Sequence, residues 1–276
     1  MSGELKSAPA ILRSRGLRAK ASWGQNFLDD ESTLQRIVGA ANLGPKDAVV
    51  ELGAGLGHLT RMLLATGAEV VAIERDPDLL EALGELRAEN LRVVAANAAR
   101  ADFAELAGRS PLVVVGNIPY QLTSTILFEL LDQRAHISHA VLTVQKEVAE
   151  RITAPPGGRV YGILSVLLGL HYELHHLFTL SPELFHPPPK VSSAVIRLDA
   201  LAHPRVEVSS EARFRKLVKA AFARRRKQLL NSLKSDPSLG EPASLLEALR
   251  KADIDPTRRA ETLSVQEFAA LERALG

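Results

Sequence analysis

The chain has 276 residues, 46% hydrophobic and 24% charged, with a net charge of +2, enough for one large domain and a small one. It contains no cysteine, which excludes disulfides and thiolate metal sites and fits a reducing cytoplasmic setting. No apolar run approaches the roughly 18 residues of a membrane helix, and Lys6, Arg13, Arg15, Arg18 and Lys20 stand where a secretory signal would have its apolar core.

Residues 1–22 read as a flexible basic arm. From Asp47 onward, short apolar runs alternate with longer amphipathic stretches. Ala48–Val50, Val70–Ile73, Val93–Ala95, Leu112–Val115 and Ala140–Val144 predict buried parallel strands. Leu59–Ala65, Pro77–Ala88 and Leu122–Leu131 predict helices between them. The alternation points to an α/β open sheet with right-handed crossovers. Val191–Leu198 alternates polar and apolar, as suits an antiparallel strand added at one edge.

His203-Pro204 and the polar stretch to Ser210 read as a linker. Beyond it, Phe214, Leu217, Val218, Ala221 and Phe222 recur at helical spacing, as do Leu229, Leu230 and Leu233. Leu245–Ala252 and Val265–Leu275 also predict helices. The expected division is an arm over 1–22, a large domain over 23–203 and a small all-helical domain over 204–276. Between Arg205 and Lys234, ten Lys or Arg face two acids, Glu207 and Glu211, so this segment carries +8 and the remainder −6. Such a block suggests a polyanionic partner.

The first predicted strand ends in Glu51-Leu-Gly-Ala-Gly-Leu-Gly57, and a helix follows at once. Glycines such as Gly53 and Gly55 let the backbone turn sharply and approach a ligand closely. The helix N-terminus suits a carboxylate or other anion. The second strand ends at Glu74, which can accept hydrogen bonds from both hydroxyls of a ribose. The loop and acid indicate a nucleoside cofactor without choosing between a dinucleotide and S-adenosylmethionine.

Asn117-Ile-Pro-Tyr120 follows the fourth predicted strand, at the sheet end where open α/β folds bind ligands. The residue types suit a planar amine. The Asn117 side-chain carbonyl and the backbone carbonyls beside Pro119 can accept its two N–H bonds, drawing the nitrogen toward tetrahedral geometry. Tyr120 can stack on a base, a contact worth roughly 1–3 kcal/mol. No strong general base is required, and a base reaching this pocket must leave its stack. Asn117–Tyr120 makes a methyl donor the better reading and leaves a nicotinamide oxidoreductase without a placed acid–base residue.

With these motifs in order, the sequence resembles the rRNA adenine dimethyltransferase family, most nearly its bacterial small-subunit branch. Gly24-Gln-Asn-Phe-Leu28 is similar to the family's N-terminal cofactor motif, which implies that Gln25, Asn26 and Leu28 border S-adenosylmethionine. Gly53, Gly55, Glu74 and Asn117 match its other cofactor positions. Gln145–Arg151 with Tyr161-Gly162 and Leu164-Ser165 resembles a further signature. Phe185-His-Pro-Pro-Pro-Lys-Val-Ser192 resembles the loop whose phenylalanine stacks on the target adenine. Phe222–Leu233 and Arg259–Ser264 resemble the small-subunit branch's basic helix and closing motif. Of these, Arg224, Arg225, Lys227 and Asn231 are the expected RNA contacts.

The resemblance implies a Rossmann-like S-adenosylmethionine-dependent methyltransferase. It would dimethylate N6 of two adjacent adenines in a 3′-end hairpin of 16S rRNA within the assembling small subunit, releasing S-adenosylhomocysteine. A cytoplasmic monomer with no metal and no membrane contact is expected. A large-subunit (23S) resistance methyltransferase and a non-catalytic assembly factor are the competing readings. His171, His175 and His176 lack metal-ligand spacing, His58 reads as pocket-lining or surface, and Trp23 reads chiefly as packing.

One position departs from the family. After the third strand, Asn97 stands where an Asp usually accepts a bond from the cofactor's adenine amino group. An amide oxygen can accept that bond, but without charge. Asn97→Asp is therefore expected to bind S-adenosylmethionine several-fold more tightly, on the order of 1 kcal/mol. Equal dissociation constants in a calorimetric titration would contradict this.

Overall fold

The computed structural model describes residues 6–276. Its first compact unit takes the described residues up to Ala149 and returns for His175–Ala200. It opens with helix α1 (Ala8–Ser14), the short strand β1 (Phe27–Leu28) and helix α2 (Glu31–Ala41). Strands and helices then alternate through β2 (Ala48–Leu52), α3 (His58–Leu64), β3 (Glu69–Glu74), α4 (Pro77–Gly84), β4 (Leu91–Ala95), α5 (Phe103–Ala107), β5 (Leu112–Asn117), α6 (Thr123–Asp132) and β6 (Ile137–Gln145). After α7 (Lys146–Ile152) and α8 (Ile163–His171) come β7 (Tyr172–Leu180), β8 (Phe185–His186) and β9 (Ser193–Ala200).

The main sheet has seven strands in the order β4-β3-β2-β5-β6-β9-β7. β4, β3, β2, β5 and β6 pair in parallel, and β9 runs antiparallel to β6. β2 is buried along its whole length, and Val49 and Val50 are fully enclosed. A strand covered on both faces favours apolar side chains at successive positions, which is why Ala48–Val50 reads as a continuous run. The chain steps outward from β2 to β3 and β4, then crosses back to place β5 on the other side of β2. The strand order therefore reverses between β2 and β5, and a crevice opens at their carboxyl ends. β9 is antiparallel as expected, but β7 lies outside it and forms the edge.

The arm expected to be flexible contains helix α1, with Pro9 in its first turn. Ala8 and Leu12 are buried against Phe27, Leu56 and Leu79. The Ala8 N–H donates to Asp29 Oδ2 at 2.5 Å, and Arg15 pairs with Glu85. Two apolar residues one turn apart on a short helix are a weak sequence signal, and tertiary packing decides the outcome. Residues 1–5 of that arm lie outside the described residues. α4 stops at Gly84, short of the expected Ala88, as fits glycine's poor helix propensity.

The second compact unit combines residues 150–174 with Leu201–Gly276. It contains α9 (Glu211–Phe222), α10 (Leu229–Leu233), α11 (Pro242–Lys251) and α12 (Val265–Ala274). Residues 150–174 fall in this unit although the sequence division stood at 203/204. The cause is visible in α8: Leu164 to His171 are all buried, and a helix apolar on every side must be enclosed on every side. Tyr161, Phe222 and Phe268 pack in series with tilted rings, their centroids 6.2 Å and 5.9 Å apart. Fully buried Glu272 accepts from the Ser209 and Ser210 backbones at 2.8 and 3.0 Å and from Arg213 Nε at 2.7 Å.

Glu51 is the one acid inside β2, 1% exposed and hydrogen-bonded by Thr60 Oγ1 at 2.6 Å. Burial pushes its carboxyl up to about 7, against the Thr60 bond and helped by the nearby Glu74 charge. The unfolded chain titrates near the ordinary 4.5, so the folded state binds more protons between these values. This group's contribution to stability is thus fully present below pH 4.5 and lost as pH rises through about 7. The loss is on the order of 3 kcal/mol. Glu51→Gln is expected to flatten the fall in stability between pH 5 and 8. Urea denaturation that keeps the parent's slope with pH would contradict it.

Candidate active site

The crevice forms where β2 and β5 end side by side, with Leu52 in register with Gly116. A Cβ at Gly116 would lie 2.7 Å from the Leu52 carbonyl oxygen, so only glycine lets these strand ends approach. Past β2 the chain turns through Gly53 and Gly55 in the left-handed region, at φ 72° and 58°. The Phe27 ring packs on Gly55, where a Cβ would stand 3.3 Å from it. Glu74, at the end of β3, is 8% exposed and fixes this turn. Its Oε2 accepts the Gly55 N–H at 2.9 Å, and its Oε1 accepts the Arg75 and Asp76 N–H groups at 2.7 and 2.9 Å.

A second wall comes from residues 20–27, held by Asp76. That carboxylate is 1% exposed and receives Lys20 Nζ at 2.6 Å and Gln25 Nε2 at 2.7 Å. Burial would push it up, but the Lys20 and Gln25 bonds outweigh burial and hold it below the usual carboxylate range. Lys20 also reaches Asp78 at 2.8 Å, and its backbone N–H donates to Gln25 Oε1 at 2.8 Å. The Trp23 ring carries two cations, with Lys20 Nζ at 5.0 Å and Arg75 Cζ at 4.2 Å from its centroid.

One cleft is lined by Trp23–Phe27, Leu52, Gly53, Gly55, Ile73–Arg75, Leu79, Ala96–Ala98, Asn117–Tyr120, Leu122 and Ile126. Asn117 Nδ2 donates to the Asn26 carbonyl at 2.9 Å. That bond fixes the amide orientation and leaves Oδ1 as an acceptor. The Tyr120 hydroxyl meets Ser193 Oγ at 2.7 Å, and burial raises its phenol above the ordinary value against that bond. Asn97 Oδ1 accepts the Ala99 N–H at 3.1 Å, capping a short turn at the cleft's edge.

The sequence pattern described as "Ribosomal RNA adenine dimethylase" matches residues 16–275. The chain belongs to that family. A Ribosomal RNA small subunit methyltransferase A of Myxococcus xanthus is 57% identical over 272 residues, covering 99% of this chain and 96% of the relative. One of Moorella thermoacetica is 44% identical over 278 residues, covering 96% of each. Among solved structures, a dimethyladenosine transferase from Plasmodium falciparum superposes with a TM-score of 0.77 at 26% identity, over 89% of this chain and 95% of that one. The 23S rRNA methyltransferase ErmE gives 0.68 at 28% identity, over 91% and 99%.

The dimethylase family and this fold are those of S-adenosylmethionine-dependent methyltransferases. The cleft's residues fit that cofactor. The loop at Gly53 and Gly55 has no side chain in the way, and Glu74, Asn97 and Ala98 line the same cleft. Gln25, Asn26, Gly53, Gly55, Glu74, Asn97, Asn117, Pro119 and Tyr120 all line this one cleft.

Leu28 and Phe185 are placed differently. They face each other in the antiparallel β1–β8 ladder, are 5% and 4% exposed, and pack in the same apolar cluster as Leu34, Val115 and Val195. Neither lines the cleft. The ladder fixes which way these side chains point, and a motif match carries no such information. Phe185 is enclosed in that apolar cluster, opposite Leu28 in the ladder.

The expected basic helix is also interrupted. Residues 223–227 form a turn between α9 and α10. The turn gathers Arg224, Lys227, Asn231 and Lys234 around a shallow depression in the second unit. Arg225 instead donates to the Arg159 and Tyr161 carbonyls at 2.8 and 3.0 Å, a use that charge patterning does not reveal. Nothing in the sequence marks Lys20, Asp76 or Ser193 as a site residue. Asp76-Pro77 is readable as a helix start, but its role as a tie appears only when the N-terminal segment is in place.

Proposed function

We propose that this chain dimethylates N6 of two adjacent adenines in a hairpin near the 3′ end of small-subunit (16S) rRNA. It would act as a cytoplasmic monomer on the assembling small subunit. Relatives named Ribosomal RNA small subunit methyltransferase A, at up to 57% identity over nearly the whole chain, support that substrate. The observation that carries the chemistry is the Asn117 amide, whose Nδ2 is held by the Asn26 carbonyl.

With the amide so oriented, Asn117 Oδ1 accepts one N–H of the adenine amine, and a backbone carbonyl beside Pro119 accepts the other. Both bonds favour a nitrogen whose lone pair is no longer spread into the ring. Tyr120 offers an aromatic face to the extruded base. S-adenosylmethionine would be held by the Gly53–Gly55 turn, with Glu74 for its ribose and Asn97 for its adenine, all of which line the cleft. When bound, it supplies an electrophilic methyl group. The proton lost from N6 leaves to solvent once the N–C bond has formed, so no residue has to act as a strong base and the residues act by orientation. Arg224, Lys227 and Asn231 track the RNA backbone, Lys234 joins them in the same depression, and such contacts position RNA without reading its sequence.

No helix of the described residues is long and apolar enough to cross a membrane. Labelled S-adenosylmethionine offered with unmethylated small subunits, and separately with naked large-subunit rRNA, tests the reading. Label is expected in the small subunits as N6,N6-dimethyladenosine. Label only in the large-subunit rRNA would overturn the substrate, and label in neither would favour an RNA-binding assembly factor. Asn117→Ala is expected to lower transfer at least about a hundredfold; full activity would refute the amide's role.

A further inference from the structure

Ser193 is the first residue of β9, an inner strand of the sheet, and is fully buried. Its backbone is fixed on the β6 side, where Ser193 stands in register with Gln145, and Lys146 N–H donates to the neighbouring Ser192 carbonyl at 3.0 Å. Tyr120 stands on a 3-10 turn just past the end of β5, outside any strand ladder. Its hydroxyl reaches Ser193 Oγ at 2.7 Å. The ring is thus held at two ends, by its backbone beside Pro119 and by its phenol on the sheet.

We infer that Ser193 is a positioning residue for methyl transfer, anchoring the Tyr120 phenol so that the ring is fixed beside Asn117 before the target base arrives. The inference rests on the activity proposed above. A tyrosine pinned at both ends has lost its rotamer freedom during folding, so less ordering cost remains when a base stacks on it. The same hydroxyl pair ties the β8–β9 segment to the tetrapeptide. That segment is already joined to the N-terminal wall through Leu28 and Phe185. One buried serine therefore links the base-binding turn to the part of the chain that also closes the cofactor cleft.

The test is a cycle of Ser193→Ala, Tyr120→Phe and the double variant, assayed on unmethylated small subunits with cofactor affinity measured by calorimetry. Each single change removes one half of the hydroxyl pair and keeps the ring. Each is expected to lower kcat roughly tenfold while the cofactor dissociation constant stays within about twofold. The double variant is expected to fall no further, because both singles remove the same contact. Losses that multiply, or an unchanged kcat in either single variant, would overturn the inference.

Ser193→Thr, which keeps a hydroxyl, should recover most of the lost kcat; failure to recover while the protein stays folded would also count against it. Ultraviolet titration gives a readout independent of turnover. With the Ser193 bond gone and burial remaining, one of the chain's three tyrosines should ionise at higher pH in Ser193→Ala. An unshifted titration would mean that the bond does not form. A parent protein that transfers no methyl would instead remove the proposed activity, and this role with it.

Discussion

Two buried carboxylates at the end of β3 hold the site together. Glu74 collects three backbone N–H groups and so sets the glycine turn after β2. Asp76, two residues on, collects Lys20 and Gln25 and so sets the N-terminal wall. A buried carboxylate left without donors is costly, so each acid demands its partners. Of these partners, Gly55, Lys20 and Gln25 come from segments far from β3 in sequence. The same pair of residues therefore satisfies its own burial and assembles a cleft.

The sheet supplies the rest by topology. Because strand order reverses between β2 and β5, the glycine turn and Asn117 emerge at neighbouring strand ends. Asn117 then closes the circuit through its bond to the Asn26 carbonyl. The N-terminal wall and the Asn117 amide are consequently one hydrogen-bonded unit. Anything that loosens residues 20–27 should be felt at Asn117 as well as at the cofactor.

The five parallel strands and β9, the glycine turn, Glu74 and the Asn117 tetrapeptide were legible in the sequence; β1, β7 and β8 were not. Runs such as Ala48–Val50 carry the signature of a strand buried on both faces, and glycine spacing speaks directly of backbone shape. What was not legible depends on partners distant in sequence. α1 is ordered by Phe27, Leu56 and Leu79, and nothing in residues 8–14 alone announces that. Phe185 matches a motif position, yet its strand pairing turns it into the core. Arg225 looks like its basic neighbours and is spent on two backbone carbonyls. The family resemblance supplied identity and chemistry; the direction of each side chain came from the fold.

The central claim is that the tie at Asp76 builds the cofactor site by holding the N-terminal wall. Lys20 makes that tie without itself lining the cleft, its side chain meeting the lining at the face of the Trp23 ring. Isothermal titration of S-adenosylmethionine into Lys20→Met tests it most directly. The expected result is a dissociation constant weaker by on the order of tenfold, with the melting of the second unit unchanged. An affinity equal to the parent's would contradict the tie and leave the glycine turn as the cofactor site on its own.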